Sequence, residues 1–297
     1  MPGAASRPRA WPGATAAAGY AGDNDRVADP LFRRDLFRGT APYYDRFRVP
    51  YPQSLLDDLT ARAGEGGRLL DLACGTGQLT FAMHTRFDEV WAADQEPEMV
   101  AVVRDKASAA GIGTIRPLVA AAEELEAAPG SLDLAVIGNA FHRLRRERVA
   151  ANVLRWLRPG RCLALVWGES PWAGEEPWQQ TLTATMDRWR ARTGAGGRVP
   201  DGYDQNRRDR PDVAILEQAG FDVVGSYRFL AAHDWTPDTL AGFLFSTSVL
   251  SRPALGDLAP GFEQDLRREM LGCVPSGRWR QVINFGYQLA RRPGPDA

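Results

Sequence analysis

Two carboxylates and a pair of glycines are the first residues of this 297-residue chain whose types and spacing suggest chemistry. Asp71 sits in the run Leu69-Leu70-Asp71-Leu72-Ala73-Cys74, and Gly75-Thr76-Gly77 follows at once. Glycines let backbone N–H groups approach a ligand closely, and a helix starting near Gln78 turns its positive end toward that ligand. The Asp71 carboxylate would repel a diphosphate, so the combination favours a ligand carrying a positive group. Asp94 lies 23 positions after Asp71, close to the spacing at which an acid accepts bonds from ribose hydroxyls. His142, in Gly138-Asn139-Ala140-Phe141-His142-Arg143-Leu144, has the pKa range of a general base near neutrality. A histidine that packs or fixes its loop fits the same position.

These residues need a scaffold that brings their loops together. Apolar runs at 68–72, 89–93, 115–119, 132–137 and 162–167 read as strands, with helices at 78–86, 98–110 and 145–157 between them. Such alternation predicts an α/β fold, a parallel sheet with helices on both faces, whose ligands bind beyond the strand C-termini where strand order reverses. The loops after the first, second and fourth strands should therefore meet. Upstream, Asp29-Pro30-Leu31-Phe32 opens a helix, Pro50 and Pro52 close the segment after it, and 52–63 forms an amphipathic helix. Downstream of Trp167 the alternation breaks. An insertion at 168–210 holds a helix at 178–192, and a helix (211–219), a strand (221–230), a helical insertion (237–271) and a last strand (281–290) follow. The expected divisions are a disordered tail (1–25), a helical lid (26–63), a ligand-binding core (64–170), a cap (171–210), a C-terminal sheet half (211–292) and a short tail (293–297).

Composition narrows the function. A 44% hydrophobic chain of this length buries a large core, and a net charge of −1, from 36 basic and 37 acidic residues, provides no global field for nucleic acid or an anionic membrane. Cys74, Cys162 and Cys273 are odd in number and far apart, which excludes a complete disulfide framework and points to a reducing cytoplasm. No cysteine or histidine pair has zinc-ligand spacing, so no metal is expected. No apolar run is long enough to span a bilayer, and the N-terminus lacks a secretory apolar segment.

The stretch Asp71 to Gly77 resembles motif I of the class I methyltransferases, whose methyl donor, S-adenosylmethionine, carries an amino group and a sulfonium. The resemblance covers most of the chain and is to the type 11 and trans-aconitate-like enzymes, of actinobacterial secondary-metabolism type. Lys106 as the sole lysine agrees with a GC-rich bacterial source. The resemblance implies a Rossmann-like, mostly parallel sheet with its last strand antiparallel, and helical lid insertions. It implies that Ala73, Gly75 and Gly77 approach the cofactor with Asp71, and that Asp94 holds the ribose. Gln95 and Met99 would pack on the adenine, although Met99 also reads as a core methionine. Ala120-Ala121-Ala122-Glu123-Glu124-Leu125 matches the family pattern Gly-Asp-Ala-Glu-x-Leu, but Ala121 replaces the adenine-reading aspartate and leaves Ala122 N–H and Glu123 for that role.

Tyr43 and Arg48 are expected near the methionine carboxylate, with Tyr44 on the acceptor; a helix packing its aromatic face on the sheet explains the tyrosines equally. The Asn139 to His142 loop is similar to the segment between cofactor and substrate in these relatives. The implied acceptor residues are Tyr44, Phe141, His142, Trp167, Trp172, Tyr203, Phe245 and Ser246. Arg143, Arg145, Arg146, Arg148, Arg155 and Arg158 read either as a basic stripe or as a solvated helix face.

The reading is a methyltransferase that uses S-adenosylmethionine to modify an oxygen or nitrogen of a bulky, partly apolar small molecule, as in antibiotic biosynthesis. The protein is expected to act as a monomer or homodimer without nucleic-acid or membrane partners. Because transfer from a sulfonium is strongly driven, alignment contributes more than any base. An RNA or protein methyltransferase and an inactive cofactor-binding regulatory module are the rivals. A nicotinamide dehydrogenase would have a third glycine where Thr80 stands and no acid at Asp71.

Overall fold

In the computed structural model, residues 32–193 and 198–294 are described. The expected tail at 1–25, residues 26–31 of the expected lid and residues 295–297 lie outside the described residues. Seven strands form one sheet: β1 (Arg68–Leu72), β2 (Glu89–Asp94), β3 (Ile115–Val119), β4 (Leu132–Gly138), β5 (Leu157–Gly168), β6 (Asp222–Trp235) and β7 (Trp279–Arg291), in the order β3-β2-β1-β4-β5-β7-β6. β1 to β5 pair in parallel, and β7 runs antiparallel to both β5 and β6. The sheet is thus mostly parallel with its last strand reversed.

Strand alternation sorts side chains into two layers. Leu69, Leu134 and Val136 face a core built with α2 (Gln53–Ala63), α3 (Gln78–Met83) and α4 (Pro97–Ala109). Leu70, Leu72, Ala135 and Ile137 face the other core, with α5 (Arg146–Trp156) and α8 (Asp212–Ala219). β4 is buried along nearly its whole length, as expected of a central strand covered on both faces. The chain moves outward from β1 to β3 and then returns to β4, so strand order reverses between β1 and β4.

Elements outside the sheet form a cap. α6 (Pro177–Thr193) packs on α11 (Ala259–Cys273), where Trp189 meets Phe262 edge to face at 5.6 Å and donates its indole N–H to Asp265 at 2.8 Å. The short helices α1 (Ala41–Phe47), α7 (Tyr203–Asp209), α9 (Pro237–Phe245) and α10 (Arg252–Leu255) complete it. Among the described residues, no helix is long and apolar enough to cross a membrane.

Three expectations need correction. Asp29 to Leu31, where a helix was expected to open, lie outside the described residues, and 32–40 is a series of turns; α1 begins only at Ala41, with Pro42 in its first turn. The helix expected at 78–86 ends at Met83 and tightens into a single 3₁₀ turn over 84–86. β6 runs to Trp235 rather than 230, because β7 supplies backbone partners as far as the Trp235–Trp279 pair.

Candidate functional site

Two backbone distortions mark the reversal point. Ala73 (φ 57°) and Asn139 (φ 51°), just past β1 and β4, are the non-glycine residues with positive φ among those described. Such conformations persist where surrounding bonds over-determine them, typically at sites. Asn139 is fixed by its N–H to the Val166 carbonyl (2.8 Å), by its Nδ2 to the Tyr51 hydroxyl (3.1 Å) and by its Oδ1, which accepts from Gly168 N–H at 3.2 Å. Beyond β1, Gly75 N–H donates to Asp94 Oδ2 and Glu96 N–H to Oδ1, both at 2.9 Å. Burial pushes the Asp94 carboxyl up, while these N–H groups pull it back toward the charged form.

Around these turns lies a cavity of about 460 Å³, lined by Tyr44, Ala73, Gly75, Asp94, Gln95, Met99, Ala122, Glu123 and Asn139 among the expected residues. Segment 32–40 roofs it. Arg34 pairs with Glu124, Gln95 Nε2 reaches the Arg34 carbonyl at 3.3 Å, and Gly39 N–H donates to Glu98 at 2.8 Å. A second cavity of about 840 Å³ lies under the cap and includes Tyr44, Arg48, Asn139, His142, Trp172 and Tyr203. Tyr44, Asn139 and Arg143 line both cavities and form the junction between them.

Several expected residues lie elsewhere. Asp71 does not line the first cavity: it is 1% exposed beneath the turn, and its Oδ2 accepts from Thr80 N–H at 2.9 Å and Thr80 Oγ at 2.6 Å. The carboxylate therefore anchors the start of α3 instead of facing a ligand. Gly77 caps that helix in the left-handed region, packed against Phe81 and Val103. Tyr43 meets Phe245 edge to face at 5.3 Å, and both belong to helix packing. Ser246 is fully buried and accepts from Arg48 Nε at 2.9 Å, and Arg48 lines the second cavity, not the first. Phe141 and Trp167 line a third cavity, of about 470 Å³, which His142 also borders. The alternation of β5 and the short turn at 141–143 carry these two rings away from the junction.

His142 faces a cation. Its Nε2 accepts from Arg143 Nε at 3.2 Å, and burial, reinforced by Arg143, Arg207 and Arg146, holds the imidazole well below its ordinary pKa. The ring is neutral at physiological pH, and its lone-pair nitrogen is already engaged.

Sequence reasoning missed Phe32, Leu36 and Phe37 of the roof, and it missed Tyr51. A tyrosine held between Pro50 and Pro52 was the available signal for the last. Arg145 and Arg148 reach the first cavity's rim, whereas Arg158 pairs with Asp133 at 2.7 Å. Of the aromatics of the insertions, Trp172 and Tyr203 line the second cavity, Trp235 and Phe243 belong to the core and also border that cavity, and Trp178, Trp189 and Phe245 pack into the core and do not line that cavity.

The first cavity suits an adenosine ligand with a flexible tail. Its volume lies in the small-molecule range, and a Cβ on Gly75 would stand 3.0 Å from the Tyr44 ring, so only glycine keeps that cradle open. Asp94 brings a carboxylate to this cavity, and Met99 and Ala122 bring apolar walls.

Comparison with known proteins agrees with this geometry. Residues 69–160 match the family described as methyltransferase domain. An uncharacterized methyltransferase of Mycobacterium tuberculosis is 36% identical over 138 residues, 46% of this chain and 54% of its own length. The chain thus spans about half of that relative. A trans-aconitate 2-methyltransferase of a Mycobacterium species is 43% identical over 63 residues, 20% of this chain and 25% of the relative. In three dimensions, a structure from Anaeromyxobacter dehalogenans, assigned as a type II methyltransferase, superposes with a TM-score of 0.58 at 19% identity, covering 84% of this chain and 99% of that one. The match to the methyltransferase domain family thus covers residues 69–160, and the mostly parallel, Rossmann-like sheet shares its fold with the Anaeromyxobacter structure.

Proposed function

We propose that this chain transfers a methyl group from S-adenosylmethionine to an oxygen or nitrogen of a bulky, partly apolar small molecule, of the kind made in secondary metabolism. The observation that carries this reading is the junction. Tyr44, Asn139 and Arg143 line both a cavity suited to the donor and a larger, aromatic-walled cavity suited to an acceptor. When bound, the cofactor supplies an electrophilic methyl carbon on its sulfonium.

The residues of the chain have separate tasks in this reading. Asp94 would hold the ribose, kept in place by the N–H groups of Gly75 and Glu96. Met99 and Ala122 would flank the adenine, and the backbone at Ala73 and Gly75 would approach the rest of the donor. Roof residues 32–40, tied by Arg34 and Gly39, exclude water from the donor side. Asn139, rigid through its bonds to Tyr51 and Gly168, orients the junction. With its Nε2 taken by Arg143, His142 is assigned to positioning that guanidinium, and alignment of the two reactants is the main catalytic contribution. The proposed setting is the cytoplasm, where Cys74, Cys162 and Cys273 remain free thiols, with the protein a monomer or homodimer.

The test has two steps. Calorimetry with S-adenosylhomocysteine should detect binding, and a well-folded sample that does not bind would end the reading. Incubation of metabolite extracts of the source organism with methyl-labelled cofactor should then yield labelled small molecules by mass spectrometry. Label found only in RNA or protein would refute the small-molecule acceptor.

A further inference from the structure

The second cavity is lined by Arg48, Arg143, Arg190, Arg207 and Arg208 against two acids, Glu169 and Asp204, so it carries an excess of positive charge. Arg190 is balanced by Asp187 at 3.2 Å, and Arg207 lies 3.9 Å from Asp212. Arg48 and Arg143 differ. Among the described residues neither has a carboxylate within ion-pair distance; both are held by neutral groups. Arg48 donates Nε to Ser246 Oγ at 2.9 Å and Nη2 to the Ser246 carbonyl at 3.0 Å. Arg143 donates Nη1 to Ser248 Oγ at 3.1 Å and Nε to His142. Ser246 and Ser248 are buried in the turn that follows α9, so one short segment fixes both guanidiniums. Aromatic rings cover their flat faces: Tyr44 lies 4.5 Å from Arg48, and Phe37 lies 5.2 Å from Arg143.

These contacts orient two cations without neutralising them. Recessed like charges without a counterion are costly, and burial together with the charge of Arg48 already lowers the pKa of Arg143. Arg48 Nη1 and Arg143 Nη2 have no protein partner among the described residues, which leaves N–H donors for a ligand. Arg48 opens on the second cavity alone, so this feature belongs to the acceptor side.

Resting on the function proposed above, we propose that the acceptor is an organic anion whose carboxylate or phosphate group is anchored by Arg48 and Arg143. Its apolar body lies against Trp172, Trp235 and Phe243. Guanidiniums bind such oxyanions through strong charge-assisted bonds, and Ser246 and Ser248 preorganise them for it.

Paired probes test the charge apart from the shape. The full-length protein, with S-adenosylhomocysteine added, is titrated with 1-naphthylacetate, its neutral amide and 1-naphthyl phosphate. The better oxyanion should bind about tenfold or more tighter than the amide. In Arg48→Gln and Arg143→Gln that ratio should fall toward one while the amide still binds, and Arg143→Lys should retain part of it. A damaged fold would weaken all three probes together and leave the ratio in place. Tighter binding of the phosphate identifies a phosphate monoester as the acceptor class, and the reverse identifies a carboxylate. Amide and oxyanions bound equally, no oxyanion bound at all, or a ratio unmoved in both glutamine variants while the amide binds as in the unaltered protein would overturn the proposal. Failure of S-adenosylhomocysteine to bind would count against the methyltransferase reading instead, and the oxyanion preference is then read in its absence.

Discussion

Asp71→Asn should remove a pH dependence from the stability of this protein. The carboxyl of Asp71 is 1% exposed, and burial raises its pKa to about 7, against the pull of the Thr80 N–H and hydroxyl at 2.9 and 2.6 Å. In the unfolded chain the same group titrates near 4. Between those two values the folded protein holds a proton that the unfolded chain has released. The resulting stabilisation is complete below about pH 4 and is lost as pH rises through about 7. The loss between pH 5 and pH 8 amounts to about 3 kcal/mol, a large part of the stability of an ordinary domain. Asparagine resembles the protonated acid and keeps an oxygen for Thr80 N–H, so the variant should not show this term. Urea unfolding followed by tryptophan fluorescence at pH 5 and pH 8 gives the comparison, with the variant subtracting all other titrating groups. Parallel curves for the two proteins would refute a buried Asp71 with a raised pKa and put its carboxylate back in contact with solvent or ligand.

Asp94→Ala should weaken S-adenosylhomocysteine binding by about 1 to 3 kcal/mol through loss of the ribose acceptor; calorimetry showing unchanged affinity would remove Asp94 from the cofactor site. Gly75→Ala forces a side chain into φ +56° with its Cβ 3.0 Å from Tyr44, so it should cost about 1 to 2 kcal/mol in urea unfolding and weaken the cofactor too. An affinity equal to that of the unaltered protein would show that the cradle is not used. Because burial holds His142 neutral, turnover should show no ionisation of this residue between pH 6 and 8, and His142→Gln should lower kcat by less than about 100-fold, the range of a true general base. A larger loss, with a limb in the pH profile that the variant abolishes, would make it the base.

The fold was legible in the sequence because its signals are local. Leu69 and Leu70, or Leu134 and Ala135, declare two faces of a strand by adjacency alone, and all seven strands fall where apolar runs stand between turn residues. The alternation of strand and helix required crossovers, and crossovers require parallel pairing. Part of the first cavity was legible for the same reason: Asp94 ends β2, Gly75 and Asn139 stand just past the ends of β1 and β4, and the reversal of strand order brings strand ends together. Asp71 shows the limit. Its charge was visible, but Thr80, nine residues on, decides which way the carboxylate points.

What the sequence by itself determined is therefore the sheet, its layers and the turns at the first cavity, since short-range periodicity and backbone freedom dictate them. Tertiary structure decided the rest. Tyr51 reaches Asn139 across 88 residues, and Ser248 reaches Arg143 across 105. Whether an arginine is solvated, paired or left unneutralised at a cavity junction depends on such distant partners, and no spacing along the chain records them. That is why Arg48, expected at the methionine carboxylate, and Arg143, expected in a basic stripe or a solvated helix face, are in the folded molecule two cations of the second cavity held by neutral partners.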